Sequence, residues 1–269
     1  MLSIIKCFRT VSNACLFTSS GCEPIYLIAQ RDRILFDLKY GRRSDRVFHL
    51  QVDISNIETY RIVNKVHPAL FTDYFWDKKL PIREGHESFT DDSKIDERGC
   101  SFVAYSNSEI GFTKKFRLCD NSTVFQAEVF AILKSLEWIL GKYSKDVDLF
   151  SDSQSALLAI ISGKSFTKLV YDAHVLLIEN WKKRNINLHW IKGHTGHEGN
   201  ELADTCAKQA TLKSLIDVYL PTCIETLKNT LKNRIIDVWQ VFWDKDSKGR
   251  YTYRFFRTVN KKRCIGNGF

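Results

Sequence analysis

From residue 85 onward the apolar positions alternate between two periods. CSFVAYSN (100–107) and EIGFTKKFRL (109–118) read as two strands joined by a short polar turn. QAEVFAILKSLEWILGK (126–142) sets Val129, Ile132, Leu133, Leu136, Ile139 and Leu140 at three- and four-residue spacing. That predicts an amphipathic helix, with Gly141 as its expected C-cap. VDLFSD (147–152) predicts a short buried strand. SQSALLAIISG (153–163) predicts a helix stopping at Gly163, and KLVYDAHVLLIENWKKRN (168–185) another. NLHWIKG (187–193) reads as a further strand, and GNELADTCAKQATL (199–212) as a last helix with Asn200 as N-cap. Ahead of these, Pro81 and Gly85 break any helix before an extended run through FTDDSK (89–94). Three strands, then helix–strand–helix–helix–strand–helix, predict an α/β fold with a mixed five-stranded sheet flanked by helices.

The flanks follow a different pattern. Residues 1–84 carry mostly helical periodicity, clearest in PIYLIAQRDRILFDLK (24–39), where Ile25, Leu27, Ile28, Ile34, Leu35 and Leu38 recur at mixed three- and four-residue spacing. The expected organisation is a helical connector over 1–84, a domain over 85–212 and a basic aromatic tail over 213–269. Of 269 residues, 44% are hydrophobic, enough for a sizeable core. No apolar run approaches the roughly 20 residues of a membrane span. Eight cysteines without a C-x-x-C pair predict reduced thiols and an intracellular protein, nuclear or cytoplasmic.

Charge is unevenly placed. Residues 85–211 carry 15 Lys+Arg against 17 Asp+Glu, whereas residues 212–269 carry 12 against 5. A basic surplus on the flanks suits a polyanionic partner or plain solubility.

Four acids stand out by position: Asp91 at the first strand, Glu128 in the expected first turn of its helix, Asp152 at a strand end and Asp204 one turn into the last helix. Open α/β sheets place their sites at strand ends. Carboxylates gathered from four elements repel one another unless hard cations neutralise them, and Mg²⁺ suits such oxygen ligands. Singly, each acid is ordinary helix-end or turn chemistry.

In order along the chain, TDDSK (90–94), QAEVFAIL (126–133), FSDSQSAL (150–157) and WIKGHTGHEGNELAD (190–204) complete a pattern. The region resembles type-1 ribonuclease H, whose fold is a mixed five-stranded sheet flanked by helices. The resemblance implies cleavage of the RNA strand of RNA–DNA hybrids with two Mg²⁺ ions, Mn²⁺ substituting. It casts Asp91, Glu128, Asp152 and Asp204 as metal ligands and His194 as the histidine aiding proton transfer or product release. It implies substrate contacts at Ser93, Thr123, Gln126, Ser153, Gln154 and Asn200. Two departures stand out. Val124, Phe125 and Gln126 replace the asparagine and arginine often found there, and Asp92 replaces a small residue, where a carboxylate is expected to repel phosphate or bend the turn. Between Asp152 and His194 there is room for two helices and a strand, without the additional basic helix of some cellular members.

FRTVSNACLFTSSGCEPIYLIAQRDRI (8–34) and VWQVFWDKDSKGRYTYRFF (238–256) are similar to segments flanking ribonuclease H in non-LTR retrotransposon polyproteins of the arthropod type. That likeness implies a polyprotein's back portion or a host gene derived from one, with a reverse transcriptase supplied elsewhere as a further candidate partner. The tail's aromatics and arginines suit either packing or nucleic-acid contact. A catalytically silent relic that binds nucleic acid or a protein partner is the alternative reading.

Overall fold

A computed structural model describes residues 10–40, 56–58, 85–94, 97–142, 146–162, 167–181 and 186–263. Pro81, Gly163 and much of the expected 1–84 connector lie outside the described residues. The chain divides into two compact units, one of residues 60–223 and one of residues 1–59 with 224–269.

In the 60–223 unit, β1 (His86–Lys94), β2 (Arg98–Ser106) and β3 (Glu109–Arg117) form an antiparallel meander. The β2–β3 hairpin turns on Asn107 and Ser108, at φ 51° and 66°. A two-residue loop left-handed at both positions matches the twist of the flanking strands. Then follow α3 (Val124–Lys142), β4 (Val147–Ser151), α4 (Gln154–Ser162), α5 (Lys168–Trp181), β5 (Ile186–Trp190) and α6 (Glu198–Thr211); α1 and α2 belong to the other unit. The sheet order is β3-β2-β1-β4-β5, with β4 parallel to both β1 and β5. This is the predicted mixed five-stranded sheet, with two helices and a strand between Asp152 and His194.

Alternation along the strands divides the core between two faces. Leu149 and Leu188 join Val129, Ile132, Leu136, Leu157 and Leu177 in one apolar cluster. Phe89 and Phe150 stack at 4.7 Å and pack with Val103, Ala203 and Cys206 in another. Each fully buried aliphatic or aromatic side chain contributes about 1.5–3 kcal/mol. On β1, therefore, Phe89 and Asp91 share the α6 face, while Ser88 reaches Ser135 of α3 at 2.7 Å.

Helix boundaries differ from expectation at three ends. Helix α3 begins at Val124, not Gln126, because Thr123 and Gln126 form a reciprocal cap: Gln126 N donates to Thr123 Oγ1 at 3.1 Å, and Thr123 N to Gln126 Oε1 at 3.0 Å. Gly141 is inside that helix, which runs to Lys142, rather than capping it. Helix α6 is capped by His197, and Asn200 lies within it, drawn inward by packing rather than turned to the helix end.

In the other unit, α1 (Asn13–Ser20), α2 (Ile25–Lys39), α7 (Ile224–Lys245) and α8 (Arg250–Phe255) are the helices among the described residues. Helix α7 buries Leu227, Leu231, Ile235, Trp239 and Trp243, a stripe at four-residue spacing. Four of these, all but Trp243, share a core with Phe17, Leu27, Ile34 and Leu38. Segments from both ends of the chain thus supply one core. Among the described residues, no helix is long and apolar enough to cross a membrane.

Candidate active site

The sheet topology brings the carboxyl ends of β1 and β4 side by side, since Thr90 pairs with Ser151 in parallel register. One residue further along each strand are Asp91 and Asp152. Glu128, in the second turn of α3 because the helix starts early, completes the group. Ligand oxygens of Asp91, Glu128 and Asp152 lie within 4.8 Å of one another, and those of His194, Glu201 and Asp204 form a second such set among the described residues. The four acids singled out in the sequence thus fall into two neighbouring groups, Asp204 joining His194. The charge on Asp204 acts on both Asp91 and Asp152.

Crowding and burial govern the protonation of these groups. Burial first, then the charges of Asp152 and Asp204, push the Asp91 carboxyl up to about 8. Burial, then Asp92, Asp152 and Asp91, push Glu128 well above the carboxylate range. Burial raises Asp152 as well, with His194 opposing. Two oxygens of this set, Glu128 Oε2 and Asp152 Oδ1, are buried without a hydrogen-bond partner. A buried orphan oxygen is costly unless a ligand meets it. An all-carboxylate donor set with such orphans fits a hard divalent cation such as Mg²⁺.

The surrounding residues hold the acids in place. Asn200, fully buried, donates from Nδ2 to Asp91 Oδ2 at 3.3 Å. Trp190 Nε1 donates to the Asp152 carbonyl at 3.0 Å. A Cβ at Gly193 would lie 2.6 Å from Asp152 Oδ2, so a larger residue there would displace that carboxylate. His194 follows at φ 55°, exposed on the loop. Lys208 Nζ bonds Asp204 Oδ2 at 2.6 Å.

Asp92 is not a bare charge at a turn. Strand β1 continues through it, and its Oδ2 accepts from Arg98 Nη1 at 2.8 Å, both side chains being nearly buried. Arg98 also donates from Nε to the Ser122 carbonyl at 3.3 Å. The expected repulsion of phosphate is therefore met by a buried cation, and the expected bend does not occur.

The expected substrate contacts separate by exposure. Ser153 is half-buried and Gln154 exposed directly after Asp152, Thr123 is half-buried at the α3 cap, and Ser93 is buried in β1. Gln126 is buried, its carboxamide committed to Thr123 and, at 2.8 Å, to the Pro221 carbonyl. In place of a substrate contact it locks the start of α3. Asn200 likewise faces Asp91. Glu201, Arg98 and Lys208 escaped the sequence reading. Glu201 stands three residues before Asp204, a helical spacing that places both on one face, and this was the available signal.

Comparison with known proteins finds a family model described as RNase H matching residues 83–212. Ribonuclease H of Campylobacter jejuni is 32% identical over 135 residues, covering 47% of this chain and 91% of that protein. Ribonuclease H of Orientia tsutsugamushi is 27% identical, covering 42% of this chain and 72% of its own length. A match of 57% identity to ribonuclease H of Chromohalobacter salexigens spans only 35 residues, 13% of this chain and 21% of that protein.

Two outcomes are expected of the metal-free protein. A carboxyl whose native pKa exceeds its unfolded value binds more protons folded than unfolded between the two, so stability falls as pH rises across that window. For Asp91 the window runs from 3.8 to about 8. Urea unfolding in EDTA should show lower stability at pH 8 than at pH 5, by up to about 1.4 kcal/mol per pH unit for each such group. Asp91→Asn should flatten the slope; stability rising from pH 5 to pH 8 would contradict the crowding argument. Separately, Asp92→Gly strands Arg98 and should cost roughly 3 kcal/mol, as loss of one partner of a buried ion pair does. A loss below about 1 kcal/mol would show the pair to be structurally idle.

Proposed function

The chain belongs to the ribonuclease H family as a type-1 enzyme, and from that premise we propose that it is an endonuclease hydrolysing the RNA strand of RNA–DNA hybrids. The observation that carries this reading is the convergence of Asp91, Glu128 and Asp152, two of them with buried orphan oxygens, within the family-matched residues. Asp91, Glu128, Asp152 and Asp204 are the proposed holders of divalent cations. Two Mg²⁺ ions there, or Mn²⁺ in their place, would supply Lewis acidity for attack of water on a phosphodiester.

The chain's own residues orient and shuttle. Asn200 fixes the Asp91 carboxylate, and Gly193 lets the loop carrying His194 pass close to Asp152. His194, exposed and within 4.8 Å of Glu201 and Asp204 ligand atoms, is the proposed group that takes or delivers a proton as product leaves. The products would carry 3′-hydroxyl and 5′-phosphate ends. Ser93, Thr123, Ser153 and Gln154 are the proposed contacts to the hybrid, which is read through phosphates and 2′-hydroxyls.

The likeness of residues 8–34 and 238–256 to non-LTR retrotransposon segments supports descent from such an element. A reverse transcriptase on another chain is then a candidate partner.

Incubation of a labelled hybrid with Mg²⁺ should release RNA fragments, and EDTA should stop the reaction. Asp152→Asn should reduce cleavage by several orders of magnitude while retaining the circular dichroism of the parent. A fully active Asp152→Asn variant would sink the assignment. Hybrid binding without cleavage by the parent would favour the silent relic instead.

A further inference from the structure

The formal charge of the molecule belongs entirely to one unit. Residues 60–223 carry 21 Lys+Arg and 21 Asp+Glu, whereas residues 1–59 with 224–269 carry 19 against 10, the whole of the net +9. Such an imbalance suits either solubility or a polyanionic partner, and the placement of the exposed side chains distinguishes the two.

Part of the aromatic and basic motif at 238–256 is consumed by folding. Trp239 and Trp243 are buried, and Trp243 Nε1 donates to the Phe256 carbonyl at 2.6 Å. Gly249, at φ 76°, passes so close to Cys15 Sγ that any Cβ would collide with it. Arg250 Nη1 donates to the carbonyls of Trp243, Asp244 and Asp246 at 3.1, 3.1 and 2.8 Å, closing the end of α7. Its guanidinium lies 3.8 Å over the Tyr253 ring. Arg250 is therefore a helix cap and not a free phosphate ligand.

Three of the residues that folding leaves exposed share one face. Tyr251, Arg254 and Phe255 stand at i, i+3 and i+4 of α8, and so project together. Tyr251 is 72% and Phe255 68% exposed, their rings edge-to-face at 5.4 Å. Arg254 is exposed on the same helix face, Lys248, Arg257 and Lys262 are exposed in the sequence around it, and among the described residues none of these four side chains makes an ion pair. Two adjacent rings held in water next to an exposed arginine serve no packing end among the described residues. Nucleobases stack on such rings regardless of sequence, and phosphates follow the cations.

We propose that the α8 face formed by Tyr251, Arg254 and Phe255 binds single-stranded nucleic acid, as a site separate from the carboxylate centre. Fluorescence anisotropy of the full chain with labelled oligo-dT and oligo-rU, in EDTA, tests this. The parent should bind with an affinity that falls steeply with salt. Tyr251→Ala with Phe255→Ala should weaken binding at least tenfold, and Tyr251→Leu with Phe255→Leu nearly as much, because apolar bulk does not replace a stacking ring. Arg254→Gln should lower the logarithmic salt slope by about 0.7. Thermal melting identifies any variant that unfolds, in which case the leucine pair and Arg254→Gln decide. Unaltered binding by these variants would overturn the proposal. So would loss of binding to anionic phospholipid vesicles with oligonucleotide binding intact. Because the probe is a single strand without metal, a failure of the proposed hydrolysis leaves this outcome unaffected.

Discussion

Three carboxylates confined within 4.8 Å are the constraint on which the rest of the 60–223 unit turns. At an effective dielectric constant near 20, two unit charges at that separation repel by roughly 3–4 kcal/mol. The fold accepts this because the ligands come from separate rigid elements. Asp91 is inside the central strand, Asp152 follows its parallel neighbour, and Glu128 is on a helix whose start is locked by Thr123 and Gln126. Their backbone positions are therefore fixed by the strand pairing of β1 and β4 and by the α3 cap. Protonation is the relief left to the metal-free site, hence the raised Asp91 and Glu128.

The neighbouring Asp92 shows how the same strand accommodates a further carboxylate. Alternation puts Asp91 on the α6 side, where Asn200 meets it, and turns Asp92 toward Arg98. The ion pair then borders the acidic centre, where Asp92 still acts on Glu128. An aspartate in place of the usual small residue is tolerable because a buried guanidinium six residues later along the hairpin neutralises it.

Periodicity made the sheet and its helices legible, and strand-end placement made Asp152 so. What stayed hidden depended on pairing between elements distant in sequence. That Asn200 points at Asp91, 109 residues away, has no local signature, and the same sequence fits a helix N-cap. Arg98 is an ordinary strand cation until the hairpin sets it beside Asp92. Thr123 and Gln126 are a different case, since their three-residue spacing is a cap signature. That cap starts the helix at Val124, two residues before the start that apolar periodicity predicts.

The separation of charge follows from the same crowding. A lysine near the centre is drawn to the acids, as Lys208 is to Asp204 at 2.6 Å, and a carboxylate engaged that way is partly withheld from a cation. Cations for gripping a polyanion are therefore better kept off the unit that carries the ligands. Residues 60–223 are formally neutral, and the nine excess positive charges lie on the unit built from both ends of the chain. There, Arg250 and the buried tryptophans secure the helices, so that Tyr251, Arg254 and Phe255 remain outward. Affinity for nucleic acid and the chemistry of its cleavage would then rest on separate units, and mutation could weaken one without disturbing the carboxylate geometry of the other.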